Sequence, residues 1–198
     1  MTSELKNEVE LEGTVREDPV LSHENHGMAF YRFFLEVDRL SNQQDILPIL
    51  ITADQVPLVR QGDALRLRGE LRSFNNRSGV GNRLVLTVYA REILPPAGTA
   101  CNQIHLSGCL CKPPIFRRTP LGRSICDLML AVPRRYGRAD YLPLIAWGQL
   151  ALRLRQEPVG TPLSLTGRFQ SRIYQKVTGQ EVRERTAYEV SLMELDPS

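Results

Sequence analysis

The chain has 198 residues, 42% of them hydrophobic and 24% charged, with a formal net charge of +3, which suits one large domain or two of about 100 residues. No run of about 18 apolar residues occurs, which excludes a membrane-spanning helix, and the polar, acidic start MTSELKNEVELEG has no signal-peptide core, so a cytoplasmic protein is expected. Cys101, Cys109, Cys111 and Cys126 show neither C-x-x-C spacing nor a histidine cluster, so neither a metal nor any other cofactor is expected.

Taken in chain order, alternation of apolar and polar residues predicts strands over residues 7–16, 28–38, 45–52, 63–73 and 83–93. Between the third and fourth, ADQVPLVRQG has room for one short helix, but Pro57 favours a shorter turn. A linker rich in Pro and Gly follows, around LPPAGTA. Five more strands are predicted over 102–112, 123–132, 140–147, 162–173 and 184–195, with GQLALRLRQEPVG the better helix former. Cys126 alternates with Leu128 and Leu130 and belongs to a core.

The two series are copies of one plan. Shifted by 95 positions, Asn7, Val9, Leu11 and Gly13 meet Asn102, Ile104, Leu106 and Gly108, and Asp45-Ile46-Leu47-Pro48 meets Asp140-Tyr141-Leu142-Pro143. A three-residue insertion then sets Gly62 and Gly69 against Gly160 and Gly167. Glycines inside the first and fourth strands fit the bends of a small, tightly coiled barrel. The expected class is all-β: two tandem OB-folds, each a five-stranded Greek-key barrel with a short helix or turn after strand three. The expected division is residues 1–94, a linker at 95–101, and residues 102–198.

The copies differ in charge and in one stretch. Residues 1–95 hold 11 Lys+Arg and 14 Asp+Glu, whereas residues 96–198 hold 14 and 8. In Arg134–Trp147 (RRYGRADYLPLIAW), Leu142, Leu144 and Ala146 alternate onto a core side, leaving Tyr141, Ile145 and Trp147 on the other. An aromatic face beside arginines fits stacked nucleobases; a dimer interface is the plainer reading. Tyr188 alternates with Val190 and Leu192 and is assigned to the core, and Arg183 and Arg185 to a solvated hairpin arm. No nucleophile–base pair, paired carboxylate or phosphate loop is present, so no enzyme is expected.

In the second copy, NQIHLSGCL, Pro114, Leu130-Ala131-Val132, Asp140-Tyr141, Ala146-Trp147-Gly148, GRFQSR with Tyr174, and Tyr188-Glu189-Val190 follow in order. This series resembles the bacterial single-stranded DNA-binding protein family over nearly all of residues 102–195, and the first copy resembles it more faintly. Two such domains in one chain resemble the variants in which one chain does the work of two. The resemblance implies single-stranded DNA as partner, roles in replication, repair and recombination near the nucleoid, and a homodimer giving four OB-folds. It places base stacking on Tyr136, Tyr141, Trp147 and Tyr174. Their counterparts in the first copy, Ser41, Ile46, Thr52 and Asn76, are not aromatic. The family's acidic tail is not expected after the final MELDPS, nor recruitment of replication proteins through it.

Phosphate contacts are expected from Arg134, Arg135, Arg138, Arg168 and Arg172. In the first copy, Phe30, Phe34, Arg66, Arg68, Arg72 and Phe74 point away from the core by parity. They form either a reduced DNA platform or a protein interface, and the interface is preferred. The other reading of the whole chain is an OB-fold interaction scaffold that binds replication proteins, as primosomal accessory proteins do.

Overall fold

Among the described residues each half of the chain forms six strands, five of them carrying apolar–polar alternation. In the computed structural model, which describes residues 6–197, the first half forms β1 (Asn7–Val15), β2 (Val20–Asn25), β3 (Met28–Asp38), β4 (Gln44–Thr52), β5 (Ala64–Asn75) and β6 (Leu84–Leu94). The second forms β7 (Cys101–Leu110), β8 (Ile115–Arg118), β9 (Ser124–Pro133), β10 (Ala139–Trp147), β11 (Pro162–Thr178) and β12 (Glu181–Leu195). Ala53–Leu58 is a 3-10 turn containing Pro57, whereas its counterpart Gln149–Leu154 is a short α-helix, α1. A proline without an N–H accounts for the difference. Among the described residues, no helix is long and apolar enough to cross a membrane.

The strand order is β2-β3-β4-β6-β5-β1-β7-β11-β12-β10-β9-β8, with β1–β3 and β7–β9 pairings closing a barrel in each half. This is a pair of OB-folds joined through one continuous sheet. The order reads the same from either end once the repeat is allowed for. At the junction β1 pairs antiparallel with β7, Val9 opposite Ile104, Asn7 opposite Leu106 and Leu11 opposite Asn102. Val9 and Ile104 are the same position of the repeat, so a pseudo-twofold axis runs through that pair, as in an isologous dimer interface.

Each barrel is filled from its inner faces. Leu11, Phe33, Leu35, Leu47, Ile49 and Leu67 fill the first, and Leu106, Leu130, Leu142, Ala146, Leu165 and Phe169 the second. Cys126 is fully buried, as expected, and its burial pushes the thiol pKa up. The interior glycines mark where strands cross at closest approach. A Cβ on Gly13 would collide with the Glu36 carbonyl, on Gly69 with Tyr89, on Gly108 with Ala131 and on Gly167 with Ser191. The strand register also slips beside Gly69 and Gly167. Replacing Gly108 with alanine is expected to cost about 1–3 kcal/mol, because the clash is with backbone that has nowhere to go. Urea unfolding followed by circular dichroism measures it.

The structure adds strands that alternation did not predict. Strand β2 is exposed throughout and β8 is only four residues long, so neither carries a buried face to read. The β11–β12 hairpin extends as an arm to a tight turn at Gly179 (φ 63°), pairing Thr178 with Glu181. Residues 175–184 are exposed on both faces, which erases the alternation that would have announced them. Arg183 and Tyr174 ride on this arm. Tyr188 packs on Phe169 at 5.7 Å between centroids but is only half-buried, and its hydroxyl donates to the Ile46 carbonyl of the other barrel. The expected core residue therefore sits at the junction between copies.

Candidate nucleic-acid interface

Strand β10 carries the aromatic face. Asp140, Leu142, Leu144 and Ala146 are turned inward and buried, which leaves Tyr141 and Trp147 on the outer side. Tyr141 is 49% exposed. Ile145, expected on that outer side, is buried at 1% because it lies mid-sheet between β9 and β12, paired with Asp127 and Ser191. Trp147 is half-buried with the Arg123 guanidinium 4.8 Å from its ring centroid. Six residues of strand set Tyr141 and Trp147 about 20 Å apart, so each would hold a separate base. The partner residue Arg123 is one of the basic residues that flank the first loop of this copy in the sequence. It sits after Gly122 (φ 81°), in a loop closed when the Gly122 amide donates to the Thr119 carbonyl and the Thr119 amide to the Arg123 carbonyl.

Tyr136 stands at the tip of the β9–β10 loop and is 96% exposed. Its backbone is left-handed (φ 64°, ψ 34°), a costly conformation for a residue with a side chain. The loop is closed below it by the Arg134 amide donating to the Arg138 carbonyl at 2.7 Å. Arg135 and Arg138 flank the ring, exposed to solvent. This tip is the most open aromatic–arginine group of the second barrel.

Tyr174 lies on the arm of β11, half-buried, with Arg172 5.9 Å above its ring. Its hydroxyl donates to Asn82 of the first barrel at 3.2 Å, and the Asn82 amide donates to the Thr186 carbonyl at 2.7 Å. The arm is thus docked on the β5–β6 loop of the other copy. Two of the expected phosphate-binding arginines are partly committed elsewhere: Arg134 lies 3.6 Å from buried Asp140, and Arg172 lies 3.4 Å from Glu189. Arg168 stands apart, its Nε enclosed with no hydrogen-bond partner among the described residues. A buried donor without an acceptor is costly.

The first barrel is held differently. Arg66 donates to Glu10 at 2.7 Å and Glu12 at 3.3 Å, and Arg68 to Glu10 at 3.2 Å. Arg72 is shared between Glu70 and Asp140. The Arg66 hydrogen bond, against the opposing effect of burial, holds the Glu10 carboxyl below its ordinary pKa. Glu12 is held low first by the Ala97 amide, with those of Gly98 and Thr99 adding to it. Arg66, Arg68 and Arg72 are therefore each paired with carboxylates and offer little free charge to a ligand. Phe30 and Phe34 are half-buried on the outer face and Phe74 is exposed.

Between the barrels, two carboxylates make reciprocal bridges. Asp45 accepts from Arg39 and from both the amide and hydroxyl of Ser171, and Asp140 accepts from the Ser73 amide and from Arg72. Asp45 and Asp140 are equivalent in the repeat, as are Ser73 and Ser171, so the first copy ties down β11 of the second and the second ties down β5 of the first. This pairing sets the two outer faces in a fixed relation.

Known proteins resemble this chain in the sequence of its second half and in fold. The Single-strand binding protein family matches residues 101–196. Single-stranded DNA-binding protein 1 of Lactococcus lactis subsp. lactis is 32% identical over 88 residues, 41% of this chain and 59% of that protein. The single-stranded DNA-binding protein of Streptococcus mutans serotype c is likewise 32% identical over 88 residues, covering 54% of its length. The chain thus spans just over half the length of these relatives. In fold, the chain is similar to the wild-type single-stranded DNA binding protein from Thermus aquaticus, with a TM-score of 0.78 at 23% identity, covering 99% of this chain and 95% of that one. That likeness spans both OB-folds, and the sequence match lies in the second. In sequence, the second OB-fold is similar to the single-strand binding protein family.

Proposed function

We propose that this protein binds single-stranded DNA without enzymatic chemistry and with little sequence preference. Residues 102–198 are the main binding domain, joined by the 95–101 linker to a first domain, residues 1–94. One observation carries the reading: the outer side of the second barrel offers Tyr136, Tyr141 and Trp147 to solvent or half to solvent, with Arg123, Arg135 and Arg138 beside them. Stacking needs only a π-face, so it accepts every base, and arginines supply the charge that follows the backbone. A homodimer would bring four OB-folds together, which light scattering at micromolar concentration tests.

Trp147 is the only tryptophan, so its fluorescence reports directly on the site. Titration with poly-dT at low salt should quench it, and an unchanged emission overturns the proposal. Affinity should fall with added salt, by about 0.7 log units per log unit of salt for each phosphate contacted. Replacing Arg135 and Arg138 with glutamine should therefore reduce the salt slope by about 1.4 if each meets one phosphate. Duplex DNA should compete poorly, because its bases are not free to stack on these rings.

A further inference from the structure

The first barrel has no aromatic residue at the place equivalent to Trp147, which is Thr52. The structure puts one there from the neighbouring strand. Thr52 pairs directly with Phe30 across the β3–β4 ladder, as Trp147 pairs with Ile125 across β9–β10. Cross-strand partners share a face, so Phe30 occupies the same patch of outer surface from one strand over. It is not alone. His23 stacks on Phe30 at 5.0 Å, with 14° between the rings. Tyr89 meets Phe30 at 6.1 Å, and Arg91 lies 4.7 Å above Tyr89.

From Phe30 the outer face of β3 continues as a row: Phe30, Arg32, Phe34. Arg32 lies 5.2 Å over the Phe34 ring and enters none of the ion pairs of this barrel among the described residues. It differs in this from Arg66, Arg68 and Arg72, which carboxylates neutralise. Alternate residues on a strand are about 6.6 Å apart, a step that one nucleotide of an extended strand can match. Past Phe34 the row opens into a groove of about 560 Å³ that crosses from one barrel to the other. Phe34, Leu50 and Phe74 line it from the first copy, and Arg172, Ala187 and Tyr188 from the second. Arg172 also stands over Tyr174, one of the rings of the candidate interface.

We infer that the first barrel carries a second base-stacking tract, built on Phe30, Phe34 and Phe74 with Arg32, and that the groove leads a single strand onto it from the second barrel. This rests on the single-strand binding proposed above and extends it: the same strand runs over both copies, by residues unrelated to the aromatic positions of the second. Flat rings next to an unneutralised guanidinium, continuous with the other aromatic face, favour a nucleic-acid strand over a protein partner. In the second copy the stacking rings stand on β10 and its flanking loop and arm. In the first, two stand on β3 and one on β5, and sequence comparison at equivalent positions cannot find them.

The test uses two reporters and two lengths of oligo-dT, one sized for a single OB-fold (about 15 nucleotides) and one for both (about 35). In a Trp147→Phe background, Phe34→Trp places the only tryptophan on the tract. The long oligonucleotide should quench it. In otherwise unaltered protein, Phe30→Ala with Phe34→Ala and Phe74→Ala should weaken long-oligonucleotide binding at least tenfold and shorten the occluded length per chain. Quenching of Trp147 by the short oligonucleotide should stay as it was, which also reports that the variant is folded. Phe34→Leu, which keeps bulk but removes the ring, should show a smaller loss in the same direction. A responsive Trp147 beside a silent Phe34→Trp reporter and an unchanged occluded length overturns the tract and gives this face to a protein contact. A Trp147 silent in the unaltered protein removes single-strand binding itself, and the tract with it.

Discussion

Alanine at both Tyr141 and Trp147 is expected to weaken binding to oligo-dT by about 2–6 kcal/mol, since each stacked base is worth about 1–3 kcal/mol by truncation. That is roughly a 30-fold to 10⁴-fold loss in affinity. The two rings lie about 20 Å apart on one strand, share no contact among the described aromatic pairs, and should therefore act additively. The fold should survive. The Tyr141 ring is half exposed, and its tie to the other barrel is through its amide, which donates to the Ser73 hydroxyl at 2.7 Å. Trp147 loses the Arg123 contact, but the inward residues of β10 are untouched. Because the variant has no tryptophan, the measurement is anisotropy of a labelled oligonucleotide. Thermal unfolding by circular dichroism serves as the control. The salt slope should hardly change, because stacking releases no counterions. Unchanged affinity would turn the reading toward an interaction scaffold that binds other proteins.

The second large effect is on stability, at the junction between the barrels. Replacing Asp45 with alanine should destabilise the protein by about 3–5 kcal/mol, the usual cost of removing one partner from a buried charge pair. Asp45 is 1% exposed and accepts four hydrogen bonds: from Arg39 at 2.6 Å twice, and from the Ser171 amide and hydroxyl at 2.9 Å each. Its loss leaves two Ser171 donors without this acceptor and a partly buried guanidinium without its carboxylate, held only by the Ser171 carbonyl and Gln43. It also loosens β11 of the second barrel from the first, so unfolding should become less cooperative as well as easier. Urea unfolding read separately by Trp147 fluorescence and by far-ultraviolet dichroism would reveal that as two transitions that no longer coincide.

The same site gives a pH dependence of known sign. Burial by itself raises the Asp45 pKa, but Arg39 and the two Ser171 donors outweigh it and hold the carboxyl below its ordinary value. A carboxyl depressed in the folded state adds stability above its unfolded pKa, about 3.9, and loses it as pH falls through the lower folded value. The difference between the unaltered protein and Asp45→Asn should therefore be complete at pH 7 and shrink below about pH 4. A gap that widened with acid would contradict the assignment.

Much of this was legible in the chain because barrels of this kind leave periodic traces. Alternating apolar residues marked ten of the twelve strands. The 95-residue shift exposed the duplication, since a repeated core keeps its apolar pattern even where its surface changes. The interior glycines stood out because a neighbouring carbonyl passes where a Cβ would be. Outer aromatics of β10 were visible for the opposite reason: rings on a face that should be polar break the pattern. What was not legible has no period. Strand β2 and the tip of the β11–β12 arm are wet on both sides, so no burial constrains their residue types. Ile145 obeyed parity and was still buried, because exposure depends on strand order as well as on side.

The sequence by itself determined the class of fold, the doubling, the strands that carry each core and the unequal chemistry of the two copies. These follow from local period and composition, which every residue reports without knowing its distant neighbours. Tertiary structure alone decided which charges are free. Arg66, Arg68 and Arg72 looked like a basic platform and proved to be tied to carboxylates, one of them from the other barrel. It also decided that Asp45 and Asp140 cross the pseudo-twofold axis to bind Ser171 and Ser73, and that Phe30 stands where Thr52 leaves a gap. Each is a contact between residues far apart in the chain. Pairing distance and charge neutralisation exist only once the sheet has closed, so no reading along the chain could have supplied them.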